Sequence, residues 1–427
     1  MSPVRRIGRT VKRSPLLAGL PHEVAVLTGV AFCVALGFGI LIPVIPVFAR
    51  TFEVSALQAS AVVSVFALVR FVTSPLSGGL VDRFGERLVM GTGLLIVAAS
   101  SIAAGLSQTY VQLLVLRGMG GLGSSMFTVS AMALLLRVVE ADQRGRASGA
   151  YQGGFILGGV AGPAVGGLVV AWSIRAPFFV YAGTLLLAAI VAFAFLAKSR
   201  LRELEHAVAH GEENRLQQLR TALRSRAYQA AIAVNLLTGF VLFGLRSSAV
   251  PLFVTEGMGQ TATLAGIGFL LAAGVQAVLL LPAGRRADTR GRRTALLIGT
   301  TALMVGMGVL VAADVTVNVL GTAAILATVL FLGGMAIQGA AGAFLGSAPA
   351  AVVGDIMGGR KGGIVVATFQ MMSDLGAIVG PLAAGLLIDK LDFDWAFAAG
   401  SVLALVAVTL VIRMPETLQR TRKPEPA

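Results

Sequence analysis

Arg70, Arg117, Arg246 and Asp374 lie inside long apolar stretches of this chain, where a charge is expensive and by default functional. Asp374 stands about ten residues into its stretch and reads as the one acid placed well inside any of them. A carboxyl group in such a place can load and release a proton, hold a cationic substrate, or stay in a fixed pair with an arginine. Arg117 cannot carry a proton, because a guanidinium stays protonated in proteins. It can favour the ionised form of a nearby acid, bind an anionic substrate, or sit in a structural ion pair. Arg70 and Arg246 have the same options. Tyr151, Gln152, Asn235, Gln276, Gln338 and Gln370 are uncharged polar groups that either line a cavity or bond one helix to another. Other chemistries are excluded. Cys33 is the only cysteine, and His22, His206 and His210 fall outside the apolar stretches, so no metal site or Ser/His/Asp arrangement is expected at membrane depth. No G-x-x-x-x-G-K-[ST] loop is present, which leaves ion gradients as the drive and no cofactor to expect.

Composition decides what must position these groups. Of 427 residues 56% are hydrophobic and 53 are glycine, while 13% are charged, against about 25% in soluble domains. One core of this size would leave most of that apolar surface in water, so lipid is the solvent that fits. A cytosolic enzyme, a disulfide scaffold and a disordered chain are thereby ruled out. A membrane-embedded enzyme or receptor would need nucleophiles, metal ligands or a soluble domain that the residue types do not supply. Twelve segments are long enough to cross about 30 Å of hydrocarbon, and backbone in lipid must be helical there. They run 24–48, 57–80, 88–107, 110–136, 147–171, 177–197, 228–254, 262–283, 294–313, 319–350, 364–388 and 396–413. The first is too long for a signal-peptide core of about 7–15 residues, so it reads as a retained span.

Basic residues orient these spans. Of the 34 Lys and Arg, 28 fall on the side carrying the amino terminus, against Arg50, Arg175 and Lys390 on the other. The positive-inside rule then places both termini in the cytoplasm. The net charge of +14 is explained by orientation, and no nucleic-acid partner is expected. The expected organisation is a basic amino terminus (1–23), a six-helix bundle (24–197), a cytoplasmic linker (198–227), a second six-helix bundle (228–413) and a cytoplasmic tail (414–427). Leu216, Leu219 and Leu223 predict an amphipathic surface helix over Asn214–Arg226 of the linker.

The halves repeat each other. Gly78, Asp82, Gly85 and Arg87 after span two recur as Gly284, Asp288, Gly291 and Arg293 after span eight, at an offset of 206. Gly39, Pro46 and Phe48 recur at 205 as Gly244, Pro251 and Phe253. Gln152, Leu157, Gly158, Gly162, Pro163 and Gly167 of span five recur at 218 as Gln370, Leu375, Gly376, Gly380, Pro381 and Gly385 of span eleven. Parallel six-span repeats predict a substrate site near the bilayer midplane where the halves meet. The loop after span two, with Asp82, Arg83 and Arg87, sits where charges attract strongly enough to latch helices and still release them; Glu140 and Asp142 are plausible partners.

That loop resembles the signature loop of the Major Facilitator Superfamily, with Glu86 where a basic residue is usual. Further motifs extend the resemblance over nearly the whole chain. Gly37, Pro43 and Pro46 have the spacing of span one in its twelve-span drug:proton antiporters. Arg117, Gly121 and Gly123 form the R-x-x-x-G-x-G pattern of span four. Gly158, Gly162, Pro163, Gly166 and Gly167 match the antiporter motif of span five, although Tyr151 replaces its distal glycine. The resemblance implies an all-α fold of two pseudo-symmetric six-helix bundles and proton coupling at Arg117. It also implies a span-five helix that seals the halves against leak, and a monomer. The activity then expected is export of small amphipathic compounds in exchange for protons by alternating access. A carrier for a sugar, amino acid or siderophore is the alternative. Span one has no acid, unlike that of some multidrug antiporters, which speaks against cationic drugs.

Overall fold

The computed structural model describes residues 20–139, 143–196, 212–321, 325–357 and 363–418. Glu140 and Asp142, and residues 198–211 of the linker, lie outside them. Among the described residues the chain is helical, without strands. In order the α-helices are α1 (His22–Leu41), α2 (Ile45–Arg50), α3 (Ala56–Phe84), α4 (Glu86–Gly105), α5 (Tyr110–Val138), α6 (Arg144–Val170), α7 (Ala176–Phe195), α8 (Glu212–Arg224) and α9 (Arg226–Leu237). They continue as α10 (Arg246–Leu252), α11 (Ala262–Arg290), α12 (Arg292–Leu320), α13 (Ile325–Leu345), α14 (Ala348–Met357), α15 (Gly363–Lys390) and α16 (Phe393–Arg413). Eleven helical stretches among the described residues are long and apolar enough to cross a membrane. The stretch counted as span five is α6, 27 residues long and rich in glycine.

Three spans differ from their expected form. Span one breaks at Ile42–Val44, where Pro43 removes a backbone donor, and resumes as α2 with Pro46 in its first turn. Span seven is α9 and α10 joined by a π-helical stretch, Thr238–Leu245, and is followed by a second, Phe253–Gly257. Span nine does not stop at 313. It runs on to Leu320 and ends at Gly321, whose φ is +89°, so the next helix starts at Ile325 rather than 319. Asp314 and Asn318 looked like loop residues, but they bond to each other one helical turn apart (3.3 Å) and Asp314 is 2% exposed. Asp314 thus lies within its helix, six residues from the end at Leu320.

The contacts divide the chain into two units. The first comprises residues 1–208, 250–255 and 260–270, and the second 209–249, 256–259 and 271–427.

Within unit 1, α1 lies along α6 through a ladder of glycines. A Cβ at Gly154, Gly158, Gly162 or Gly166 would strike the backbone carbonyl of Thr28, Phe32, Leu36 or Ile40 respectively. Both series step by four, the spacing at which one helix edge meets another. Gly39 completes the contact, 3.1 Å from the Pro163 ring and 3.2 Å from Gly162 Cα measured from its would-be Cβ.

Unit 2 repeats this joint. Gly244 meets Pro381 and Gly380 at 2.9 and 3.0 Å, and Gly376 and Gly380 sit against the carbonyls of Leu236 and Phe240. Residues matched by offset in the sequence are thus matched by contact. These glycines pack α6 and α15 inside their own units, the close approach that glycines at i and i+4 allow.

The loop copies also agree in backbone. Gly85 and Gly291 have φ of +81° and +120°, with extended ψ, a region open in practice to glycine alone. Gly78 and Gly284 carry no such constraint, since a Cβ there would meet nothing within 4 Å. Gly85→Ala should accordingly cost about 1–3 kcal/mol and Gly78→Ala next to nothing, read as the difference in thermal unfolding midpoint in detergent.

Candidate substrate and coupling site

Several charged groups of the loops are tied to their own unit. Arg87 donates through Nη2 to the carbonyl of Phe193 at the end of α7, and its repeat mate Arg293 donates to that of Ile412 at the end of α16 (2.5 Å). Both arginines thus neutralise the negative end of the last helix in their unit. Asp82 and Arg83 are exposed, and Arg83 lies 5.3 Å from the Phe84 ring centroid. Asp288 pairs with Arg292 one turn on, and Arg292 Nε donates to Asp355 at 3.2 Å. Glu416 from the tail accepts from the backbone N–H of Arg292 (2.7 Å) and Arg293 (3.1 Å), capping α12.

Glu86, the departure from the usual loop, is buried at 3% exposure in the first turn of α4 and pairs with Arg137 Nε at 3.0 Å. An acid at a helix N-terminus is favoured by the helix dipole, and Arg137 supplies the counter-charge. Removing Arg137 leaves the carboxylate buried, whereas removing Glu86 leaves an arginine that reaches water at 29% exposure. Arg137→Met should therefore destabilise by about 3 kcal/mol or more and Glu86→Gln by clearly less. Equal losses in a denaturation assay would contradict this asymmetry.

Deeper in unit 1, α5 brings Arg117 over the face of Phe66 on α3, 4.6 Å from its ring centroid. The glycines of R-x-x-x-G-x-G explain the approach. Gly121 rests on the α3 backbone at Phe66 and Arg70, and Gly123 on Gly93 of α4, so any larger residue would push α5 away. Ser125 on α5 bonds Thr73 (2.9 Å) and Ser77 (2.7 Å) of α3 and locks the pair. Phe38 of α1 stacks on Phe66 at 6.0 Å and leans on Tyr181 of α7 at 6.3 Å. Tyr181 interacts electrostatically with both Arg117 and Arg70. Gly37 of the span-one motif makes room for it, since a Cβ there would come within 2.5 Å of the Tyr181 ring. Arg117, Arg70, Phe66, Phe38 and Tyr181 thus form one cluster. Tyr181 has no charge and no motif of its own in the sequence; its one signal is its place opposite Gly37.

Unit 2 holds Asp374 and Arg246. Asp374 is half-buried on α15, beside Ser373, against whose carbonyl Gly239 of the π-helical stretch is pressed. Asn235 of α9 donates to the carbonyl of Phe369 on α15 at 2.6 Å, so this candidate is a helix–helix bond. Arg246 follows the π-helical stretch directly. Such insertions occur mostly at functional sites, because the widened turn frees backbone carbonyls.

The other polar candidates separate by environment. Tyr151 is buried edge-on against Phe155 and belongs to the core of unit 1. Gln152 and its repeat mate Gln370 are exposed. Gln276 lies across Gly342 of α13. Gln338 is fully buried, and neither its amide oxygen nor its nitrogen has a protein partner among the described residues. A group of three or more His, Cys, Asp or Glu able to hold a metal is not found among the described residues.

The Major Facilitator Superfamily model matches residues 27–329 and 243–427. The chain belongs to the Major Facilitator Superfamily. Among curated relatives, Multidrug resistance protein 2 of Bacillus subtilis (strain 168) is 26% identical over 392 residues, covering 89% of this chain and 92% of that protein. Multidrug resistance protein 1 of the same organism is 24% identical over 394 residues, 91% and 95% of the two chains. Quinolone resistance protein NorA of Staphylococcus aureus (strain Mu50 / ATCC 700699) is 26% identical over 215 residues, 49% of this chain and 53% of that one. Of solved structures, a bacterial homologue of the human lysosomal transporter Spinster superposes with a TM-score of 0.70 at 15% identity, covering 92% and 96% of the chains. The nucleoside transporter NupG gives 0.68 at 13% identity over 91% and 99%. The fold is therefore that of a superfamily transporter, and the chain is a multi-pass membrane transporter, not an enzyme.

Proposed function

We propose that this superfamily member is a proton-coupled antiporter of the cell (inner) membrane that exports small amphipathic compounds by alternating access. It works as a monomer with both termini in the cytoplasm, and a proton gradient takes the place of any cofactor. The observation that carries this reading is the likeness, over about nine-tenths of the chain, to two Bacillus proteins named for multidrug resistance. Asp374, half-buried beside the π-helical stretch of unit 2, is the group proposed to load and release the proton. The exposed pair Asp82 and Arg83, with Arg87 tied behind it, is proposed to latch the cytoplasmic side and govern turnover.

The energetics suffice. One charge moving through 100 mV releases about 2.3 kcal/mol, enough for tens-fold accumulation per proton. Inverted membrane vesicles given an inward-acid gradient and a panel of fluorescent dyes test the reading. Gradient-driven dye accumulation that collapses with a protonophore is the expected result. Equilibration without accumulation, or counterflow insensitive to pH, would instead establish a facilitator for a metabolite.

A further inference from the structure

Unit 1 carries Arg70 and Arg117 in the interior of its helices and no acid there among its described residues. Glu23, Glu53, Asp82 and Glu86 all stand at helix ends or in turns. Arg117 is 3% exposed, makes no hydrogen bond or ion pair with a described residue, and its buried Nε has no acceptor. A buried guanidinium with no counter-charge is costly.

Its surroundings suit a flat anion. The guanidinium carbon lies 4.6 Å from the Phe66 ring centroid, and a guanidinium held over an aromatic ring can take a carboxylate through two parallel bonds. Tyr181 interacts electrostatically with both Arg117 and Arg70. Phe38 and Phe66 supply stacked ring surface beside it. Phe38 and Arg70 are half-buried, whereas Arg117 and Phe66 are buried.

We infer that this cluster docks the anionic head of the transported compound, with Arg117 binding a carboxylate and Phe38 and Phe66 stacking on an attached aromatic body. The inference rests on the transport reading and narrows it. The substrates are aryl carboxylates or zwitterions, not lipophilic cations. The absence of an acid from span one agrees with this.

Binding to the purified full chain in lipid nanodiscs tests it with pyrenebutyrate, its methyl ester and tetraphenylphosphonium as probes. The wild type should bind the acid at least tenfold more tightly than the ester or the cation, and Arg117→Gln should abolish that preference while leaving ester binding unchanged. Arg117→Lys should restore part of it. Equal affinity of wild type for acid and ester would overturn the inference, and that comparison needs no variant to fold. So would an Arg117→Gln loss shared equally by acid and ester, the mark of a structural role. The two readings fail separately. Gradient-driven export of the cation alone would sink the anion site and leave export standing, whereas acid-selective binding without gradient-driven movement would sink export and leave the site.

Discussion

Asp374→Asn is expected to abolish proton-gradient-driven transport while the protein still folds, inserts and binds substrate. Asparagine keeps the shape of the side chain but removes its charge and its ability to gain and lose a proton. Asp374 is half-buried on α15, whose packing onto span seven runs through Asn235 to the Phe369 carbonyl and through Gly239, Gly376 and Gly380. Those contacts are carried by other residues, so the packing of α15 onto span seven should survive the change. A mutant that still binds the probe and equilibrates it across vesicles, but no longer accumulates it when a pH gradient is applied, is the expected phenotype. The loss should reach the background of empty vesicles, because a coupled cycle with no proton carrier has no residual drive. Undiminished pH-driven flux in the mutant would remove Asp374 from the mechanism.

The second large effect is structural. Gly162→Ala places a methyl group 2.6 Å from the Leu36 carbonyl and 2.8 Å from Gly39 Cα, both backbone atoms with no rotamer to escape into. Helices α1 and α6 must then separate along the whole ladder from Thr28 to Ile40. Overpacking of this kind costs about 1–3 kcal/mol, and Gly162→Val should largely prevent folding. Gly159→Ala is the control, three residues away on the same helix, where the added methyl meets nothing within 4 Å. It should be neutral or gain about 0.5–1 kcal/mol from the better helix former. Unfolding midpoints in detergent decide the matter. Two equally tolerated alanines would mean that the ladder does not hold span one in place. The repeat extends the test to Gly380→Ala in unit 2, where the same penalty is expected against the Phe240 carbonyl.

Much of this was readable in advance because the duplication leaves its trace at fixed offsets. Gly39 with Pro163 and Gly244 with Pro381 are matched in the sequence, and each pair is in contact inside its unit. What the offsets do not say is which neighbour a small edge serves; the contacts show that these glycines pack span five onto span one. The loop glycines divide for a similar reason. Gly85 and Gly291 answer to backbone conformation, Gly78 and Gly284 do not, and the letter is the same.

Polar residues near span ends misled in the opposite direction. In the sequence Asp314 reads as the end of span nine, yet a carboxyl bonded one turn on to Asn318 can stay helical and buried. The π-helical stretches of span seven were not foreseen, although a trace of them exists. The offset steps from 205 at Phe253 to 206 at Gly284, and the stretch Phe253–Gly257 lies in that interval, where a widened turn absorbs an extra residue. Arg117 was visible as a buried cation. Its partners Phe66, Phe38 and Tyr181 were not, because three ordinary aromatics on three helices become a site only when Gly37 and Gly121 let those helices close together.

Coupling itself can be watched without an imposed pH gradient. Proteoliposomes holding the wild-type chain, a trapped pH dye and a high internal concentration of transported compound are diluted into substrate-free buffer of the same pH. If substrate leaving must be exchanged for protons entering, the lumen acidifies in step with efflux and Asp374→Asn liposomes do not. Efflux with no change in internal pH, or with the lumen turning alkaline, would contradict proton antiport outright.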